Sequence, residues 1–199
     1  LGLTLLGYGI QPLTPAGLKL MCPKQRYRVL AQVLGEAWWP FTTTASDQLH
    51  VVVTRSELIS LTNLMHALTP LLIAFCANSP VCAGKETGVL STREAQLSTA
   101  QPDFDRHGMP RAPYANILDL VSRLAAMPHI ARREAGVVCS SSGYFLDRVA
   151  ETADLDALYH AFLFHEHYVW NSARPRAAHG TLEFRSPCQQ PLAESMAAA

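Results

Sequence analysis

Gln48-Leu49-His50-Val51-Val52-Val53 and Gly180-Thr181-Leu182-Glu183-Phe184-Arg185 decide the reading of this chain. In both, polar and apolar groups alternate at the period of a β-strand. Gln48 and His50 therefore share one face, as do Glu183 and Arg185. An amide, an imidazole, a carboxylate and a guanidinium held on strand faces are suitable material for a site that handles a metal ion and a nucleotide. Taken singly, His50 reads as a satisfied strand histidine, and Glu183 with Arg185 as a solvated strand face.

Outward from the first strand, residues 3–8 read as a buried strand that runs into a turn at Gly9-Ile10-Gln11-Pro12, prolonged by Pro15 and Gly17. Pro23 precedes a predicted helix, Gln25–Leu34, with Tyr27, Leu30, Ala31 and Leu34 at helical spacing and Gly35 as its stop. Beyond Val53, Ser56 and Glu57 open a long helix. Its apolar stripe is Leu58, Leu61, Leu64, Met65, Leu68, Leu72 and Phe75. Pro70 is expected to kink or split that helix, and Asn78-Ser79-Pro80 ends it. The most apolar stretch, residues 64–77, is shorter than the roughly 20 residues of a membrane span, so a buried helix of a soluble protein is expected.

Residues 81–111 show no sustained period and are rich in Gly, Ser, Thr and Pro. A connection of about thirty residues exceeds the ~12–15 at which structureless loops become uncommon, so it is expected to frame a site. Residues 117–127 read as a helix, Val137–Ser140 as a short strand, and 144–149 and 155–164 as helices. Residues 167–173 and 181–185 read as the two arms of a hairpin. Antiparallel strands interspersed with helices, with no βαβ repeat or internal linker, predict one α+β domain over residues 1–199.

The composition narrows the function classes. With 199 residues and 49% hydrophobic content the chain can bury a core. Sixteen basic and sixteen acidic residues cancel, and no Lys/Arg run is present. That argues against nucleic-acid and membrane partners and for small molecules. Five cysteines without a Cys-x-x-Cys pair read as reduced thiols in a cytoplasmic protein. The opening Leu1-Gly2-Leu3-Thr4-Leu5-Leu6, with neither Met nor basic leader, reads as a start inside a fold.

Activating a carboxylate with ATP requires cation ligands together with arginines for phosphate or carboxylate. Gln48, His50, Glu183, Arg185, Arg174 and Arg93 supply those types. Other clusters fit less well. His165, His167 and His179 lack a His-Glu-x-x-His pattern, and His165-Glu166-His167 reads as a helix-to-strand junction. Cys139 before Ser140-Ser141-Ser142-Gly143 reads as a strand end with a helix cap. Trp38 and Trp39, ahead of Pro40, read as packing a loop on the core. Asp103, Asp105 and Arg106 read as a solvated turn.

The order of segments carries a resemblance. Pro23-Lys24-Gln25-Arg26-Tyr27, Thr44 to Val51, Ala77-Asn78-Ser79-Pro80 with Gly84, Gly88, Ser91 and Arg93, Asp105-Arg106-His107-Gly108, and Arg174-Pro175 with Gly180 to Arg185 follow one another along nearly the whole chain. Together they resemble the glutamate-cysteine ligase family of the plant and bacterial type, with the related carboxylate-amine ligases. Ala-Asn-Ser-Pro followed by Gly and Ser-x-Arg is the most specific part.

The resemblance implies a glutamine-synthetase-like catalytic domain, an antiparallel sheet lining a funnel for ATP and Mg2+. It implies that glutamate's side-chain carboxylate is phosphorylated and then attacked by the amine of cysteine or another acceptor. Carried over by position, Gln48 and His50 lie on the strand facing metal and phosphate, and His50 and Glu183 are metal ligands. Arg174 and Arg185 face the nucleotide phosphates as catalytic cations, Arg26 and Arg93 contact the substrate carboxylate, and Arg106 lies near the rim. Asn78 and Ser79 shape a turn. The family's acidic first strand lies upstream of these motifs, Cys188 stands at an acidic position, and Val52 stands where relatives often have Gly. The expectation is therefore the carboxy-proximal part of a ligase, inactive alone; the alternative is a non-catalytic remnant used as a binding or assembly module.

Overall fold

The computed structural model describes residue 2 and residues 6–100 and 106–198. Residues 3–5 of the strand expected at 3–8, and Asp103 and Asp105, lie outside the described residues; residues 6–8 form no strand. Helix α1, Gln25–Leu34, forms as expected and stops at Gly35, whose φ of 56° few other residues adopt. A 3₁₀ segment, Gly35–Thr42, then carries Trp38 and Phe41. Strand β1, Leu49–Val52, and helix α2, Leu58–Phe75, follow. Pro70 lies inside α2 without splitting it.

The stretch expected to be a loop is structured. It holds β2, Val81–Cys82, β3, Lys85–Glu86, α3, Thr92–Ala100, and β4, His107–Gly108. Two-residue strands carry no readable period, and α3 buries Thr92, Arg93 and Glu94 beside Leu97, so its inward face is mostly polar. Helix α4, Ile117–Ala125, is capped by Asn116, whose Oδ1 accepts the Asp119 N–H at 2.9 Å. Strands β5, Ala131–Glu134, and β6, Val137–Ser140, form a hairpin. Its two turn residues, Ala135 and Gly136, both have positive φ, the geometry that matches strand twist. Next come α5, Phe145–Glu151, α6, Leu155–Glu166, β7, Trp170–Asn171, β8, Ala173–Arg176, β9, Thr181–Phe184, and α7, Ser195–Ala198.

The chain is α+β. Its main sheet has the order β1-β9-β8, antiparallel throughout. The late hairpin is therefore β8–β9, shifted from the expected first arm at 167–173. Trp170–Asn171 instead pairs in parallel with His107–Gly108. The reason is packing: Tyr168 and Trp170 join the Val29, Leu30, Trp38, Ile130 and Ala131 cluster, while Val169 joins Tyr114, Leu120, Leu124 and Met127. A third cluster, Ala173, Leu182 and Phe184, takes Leu61 and Met65 from α2.

Helix α2 departs from the expected buried helix. Its buried residues are Thr62, His66 and Thr69, while Leu64, Leu71 and Phe75 are more than half exposed. The threonine hydroxyls donate to carbonyls four residues back, Leu58 at 2.6 Å and Met65 at 2.9 Å, which removes the cost of burying them. With 18 residues and a mean hydropathy of 1.6, α2 is long and apolar enough to cross a membrane.

Candidate active site

The two opening segments form one wall, because β1 and β9 are hydrogen-bonded neighbours. His50 lies opposite Glu183 on one side, and Arg174 lies opposite it on the other. Glu183, on the central strand, is the hub. Its Oε2 accepts from Arg174 Nε at 2.6 Å and lies 3.7 Å from Arg176 Nη1; its Oε1 accepts from Arg185 Nη1 at 2.5 Å. His50 Nε2 lies 3.9 Å from Oε1 and its Nδ1 lies 3.1 Å from the Thr181 hydroxyl. With its amide nitrogen toward Glu183 Oε1 (2.8 Å), Gln48 accepts from Arg185 Nη1 at 3.2 Å. Burial works to raise the Glu183 pKa, but Arg185, Arg174 and Arg176 outweigh it and hold the carboxyl below its usual range.

Beside this wall lies a cavity of about 610 Å³ that receives Arg26, Gln48, Arg93, Arg174 and Arg185 together. Such a volume suits a small polar ligand. The arginines are not equally available. Arg174 is buried and also donates to the carbonyls of His167 and Val169. Arg93 donates to the carbonyls of Ser186 at 3.1 Å and Arg185 at 3.0 Å and pairs with Glu94, leaving its buried Nε without a partner among the described residues. Arg26 has no carboxylate partner among the ion pairs of the described residues. It touches His167 Nε2 at 3.4 Å and the Tyr27 hydroxyl at 3.2 Å, and its Nε is also unmatched. Burial pushes the Arg185 pKa down to about 10, so it stays charged at neutral pH.

The lining of the cavity is also aromatic. Trp38 stacks on Phe41 at 4.7 Å between ring centroids, and Trp170 lies 5.3 Å from Phe41. Trp38 thus both packs the core, as the sequence indicated, and lines the cavity. His107 is a cavity residue whose role the sequence did not reveal. Its Nδ1 is buried without a partner among the described residues, and burial, then Arg93 and Arg185, push its pKa down to about 3. His107 stands in the Asp105-Arg106-His107-Gly108 segment of the resemblance, but no periodicity marks it as a cavity residue; the β4–β7 pairing is what brings it there.

Arg106 is not at a rim or in a solvated turn. It is fully buried and donates to the carbonyls of Tyr168, at 2.7 Å, and Pro128, tying the β7 approach to the end of α4. Asn78 and Ser79 tie distant segments together rather than shape a turn: Asn78 Nδ2 donates to the carbonyls of Gly7 and Gln189, and Ser79 bridges Ser91 while its Oγ accepts the Arg93 N–H at 3.1 Å and so sets the start of α3. Cys188 is buried against the hydroxyls of Ser79 and Ser91, at 3.6 and 3.7 Å. His165 lies in the core, 3.2 Å from His129 between their Nδ1 atoms, and donates or accepts nothing in the cavity.

A magnesium ion does not fit the described residues by themselves. Both oxygens of Glu183 face guanidinium groups, His50 is the nearest other ligand type, and among the described residues no three His, Cys, Asp or Glu side chains converge as a metal site. Magnesium requires several oxygen ligands. The arrangement instead suits anions: a carboxylate or a phosphate brought against Arg26 and Arg185 in a cavity partly lined by aromatic rings.

The sequence profile of glutamate-cysteine ligase family 2 (GCS2) matches residues 1–199. A Rubrobacter xylanophilus protein named "Putative glutamate--cysteine ligase 2-3" is 25% identical over 192 residues, which cover 95% of this chain and 42% of that protein. The chain thus spans less than half the length of this relative. With the ordered motifs meeting at one arginine-lined cavity, the match over all 199 residues places the chain in the glutamate-cysteine ligase family 2.

Proposed function

We propose that this chain is the carboxy-proximal part of an ATP- and magnesium-dependent carboxylate-amine ligase with a glutamine-synthetase-like catalytic domain. It would form a γ-glutamyl amide through an acyl phosphate, with glutamate as the carboxylate and cysteine or another amine as acceptor. The family match supports the ligase class. The observation that carries the reading is the meeting of Arg26, Arg93, Arg174 and Arg185 with Gln48 in one cavity partly lined by aromatic rings.

Within that reading, Arg26 binds the substrate carboxylate, because its guanidinium has no carboxylate partner among the described residues and its Nε is unmatched. Arg185 faces the phosphoryl oxygens, where a fixed cation offsets the charge that accumulates in transfer. Glu183 and Gln48 fix its orientation. Arg174 and Arg93 hold the strand ends through backbone carbonyls and act as positioning residues. Trp38, Phe41 and Trp170 exclude water, which limits hydrolysis of an acyl phosphate. No step is assigned to magnesium, since the described residues do not complete its ligand set.

ADP release by the gene product that contains this chain, measured with ATP, glutamate and a panel of amines, tests the reading. Release that depends on both glutamate and an amine, with a γ-amide product, is expected, and Glu183→Ala should abolish it. Absence of glutamate-dependent release would overturn the proposal. The 199-residue chain alone should release nothing above background. Glu183's full engagement by arginines favours a second reading, a non-catalytic binding module; saturable glutamate binding without turnover by the intact gene product would select it.

A further inference from the structure

A second cavity, of about 720 Å³, lies behind the wall formed by Arg26, His167 and Tyr168, which it shares with the first. Its charge is one-sided: Arg26, Arg132, Arg133, Arg148 and Arg176 line it, and among the described residues Glu166 is its one lining carboxylate. Three of these arginines have acidic neighbours, Arg132 with Glu134 at 2.8 Å and Arg148 with Glu151 at 3.0 Å on the surface, and Arg176 with the buried Glu183 at 3.7 Å. Exposed pairs of that kind contribute little, so they yield readily to a more highly charged anion. Arg133 is held over the Phe164 ring at 5.0 Å, which fixes its direction without neutralising it.

His167 adds an independent observation. Arg26 Nη1 approaches its Nε2 at 3.4 Å and Arg176 Nη2 approaches its Nδ1 at 3.2 Å. A neutral imidazole carries one N–H and one acceptor nitrogen, so it accepts from one guanidinium and faces the other donor to donor. Burial, then Arg176, Arg174 and Arg26, push its pKa down to about 4, so it is neutral at pH 7. The wall therefore holds more hydrogen-bond donors than acceptors, a deficit that oxygen-rich anions correct. Glu166, pushed up to about 7 by burial, opposes an anion only weakly near neutral pH.

We propose that this second cavity is a binding site for a phosphate-bearing anion, held by Arg132 and Arg133 from the β5–β6 hairpin with Arg148 and Arg176. The site is separate from the amino-acid cavity and does not depend on which reaction that cavity serves. The phosphate comes either from the tail of a nucleotide, whose flat base would lie on the apolar surface of Val138, Leu163 and Phe164, or from free phosphate or polyphosphate.

Calorimetric titration of this chain with inorganic tripolyphosphate and with ATP tests the site, using the Arg132→Ala/Arg133→Ala double variant and, separately, Arg148→Ala. These side chains are partly or fully exposed, so folding is expected to survive, and circular dichroism checks it. Saturable binding that weakens at least tenfold in the double variant and several-fold in Arg148→Ala is expected. For binding that the double variant weakens, ATP at least tenfold tighter than tripolyphosphate identifies a nucleotide, and equal or weaker ATP identifies free phosphate. No saturable binding of either probe, or binding unchanged in the double variant, overturns the proposal. Loss of ligase activity with binding intact would fault only the functional reading above.

Discussion

Arg174 stands directly across from Glu183 in the β8–β9 pair and donates its Nε to Oε2 at 2.6 Å, with both side chains almost wholly buried. The pair sits among further guanidinium groups, so the carboxylate is the local counter-charge for the whole arginine group. Removing one member of a buried ion pair leaves an uncompensated charge and typically costs about 3–5 kcal/mol. Glu183→Ala should lower stability by that order, and Glu183→Gln by less, because an amide still accepts one guanidinium bond. Urea unfolding followed by circular dichroism measures this; a loss under about 1 kcal/mol for Glu183→Ala would show that Glu183 is not the hub.

The arginines that line the first cavity divide into holders and a binder. Arg174→Ala strips donors from Glu183 and from two backbone carbonyls, so a large stability loss is expected. Among the described residues Arg26 touches only His167 and Tyr27 by hydrogen bond, so Arg26→Ala should change stability by no more than about 1 kcal/mol. Its effect should fall on ligands instead, weakening glutamate binding tenfold or more in titration. A destabilisation of Arg26→Ala equal to that of Arg174→Ala would erase the distinction.

The sequence made β1 and β9 legible because alternation and β-branched residues fix which face each side chain takes. Period does not fix a partner, however, so the His50–Glu183–Arg174 row could be read only from the register. Arg106 reads as part of a turn because its neighbours are polar; it is a core pillar because the carbonyls of Tyr168 and Pro128 converge on it. α3 and β5 escaped notice for the same reason. Each turns polar side chains inward or is too short to show a period, and with β5 went Arg132 and Arg133 of the second cavity.

Five histidines make stability acid-sensitive. Burial leads the causes that push His66, His129 and His167 down to about 4 and His107 and His165 down to about 3. A folded value below the unfolded one, about 6.5, gives stability that is complete above the unfolded value. It is lost as pH falls through the folded value. Glu166, raised to about 7, acts oppositely: its contribution is complete below about 4.5 and lost as pH rises through 7. The histidines outnumber it, so the urea midpoint should fall steadily from pH 6.5 to pH 4. Glu166→Gln should remove the loss of stability between pH 5 and 7 that the wild-type carboxyl imposes. A midpoint that is flat from pH 7 to pH 4 would contradict the buried neutral state of these rings.

His66 isolates one of those contributions. It lies on the inward stripe of α2, its ring 6.2 Å from that of Tyr114, and neither nitrogen has a hydrogen-bond partner among the described residues. Unlike Thr62 and Thr69, it has no nearby carbonyl that offsets its burial. Its folded value of about 4 therefore reflects desolvation alone. Replacing an unsatisfied buried polar group by an apolar one of similar size is often neutral or stabilising. His66→Leu should accordingly hold or raise stability by about 0–2 kcal/mol at pH 7. At pH 5 the advantage should grow, since a proton that only the unfolded wild-type chain takes up at this position is no longer available. Paired urea titrations at the two pH values measure the difference; an advantage that shrinks on acidification would mean the imidazole is satisfied in the folded chain.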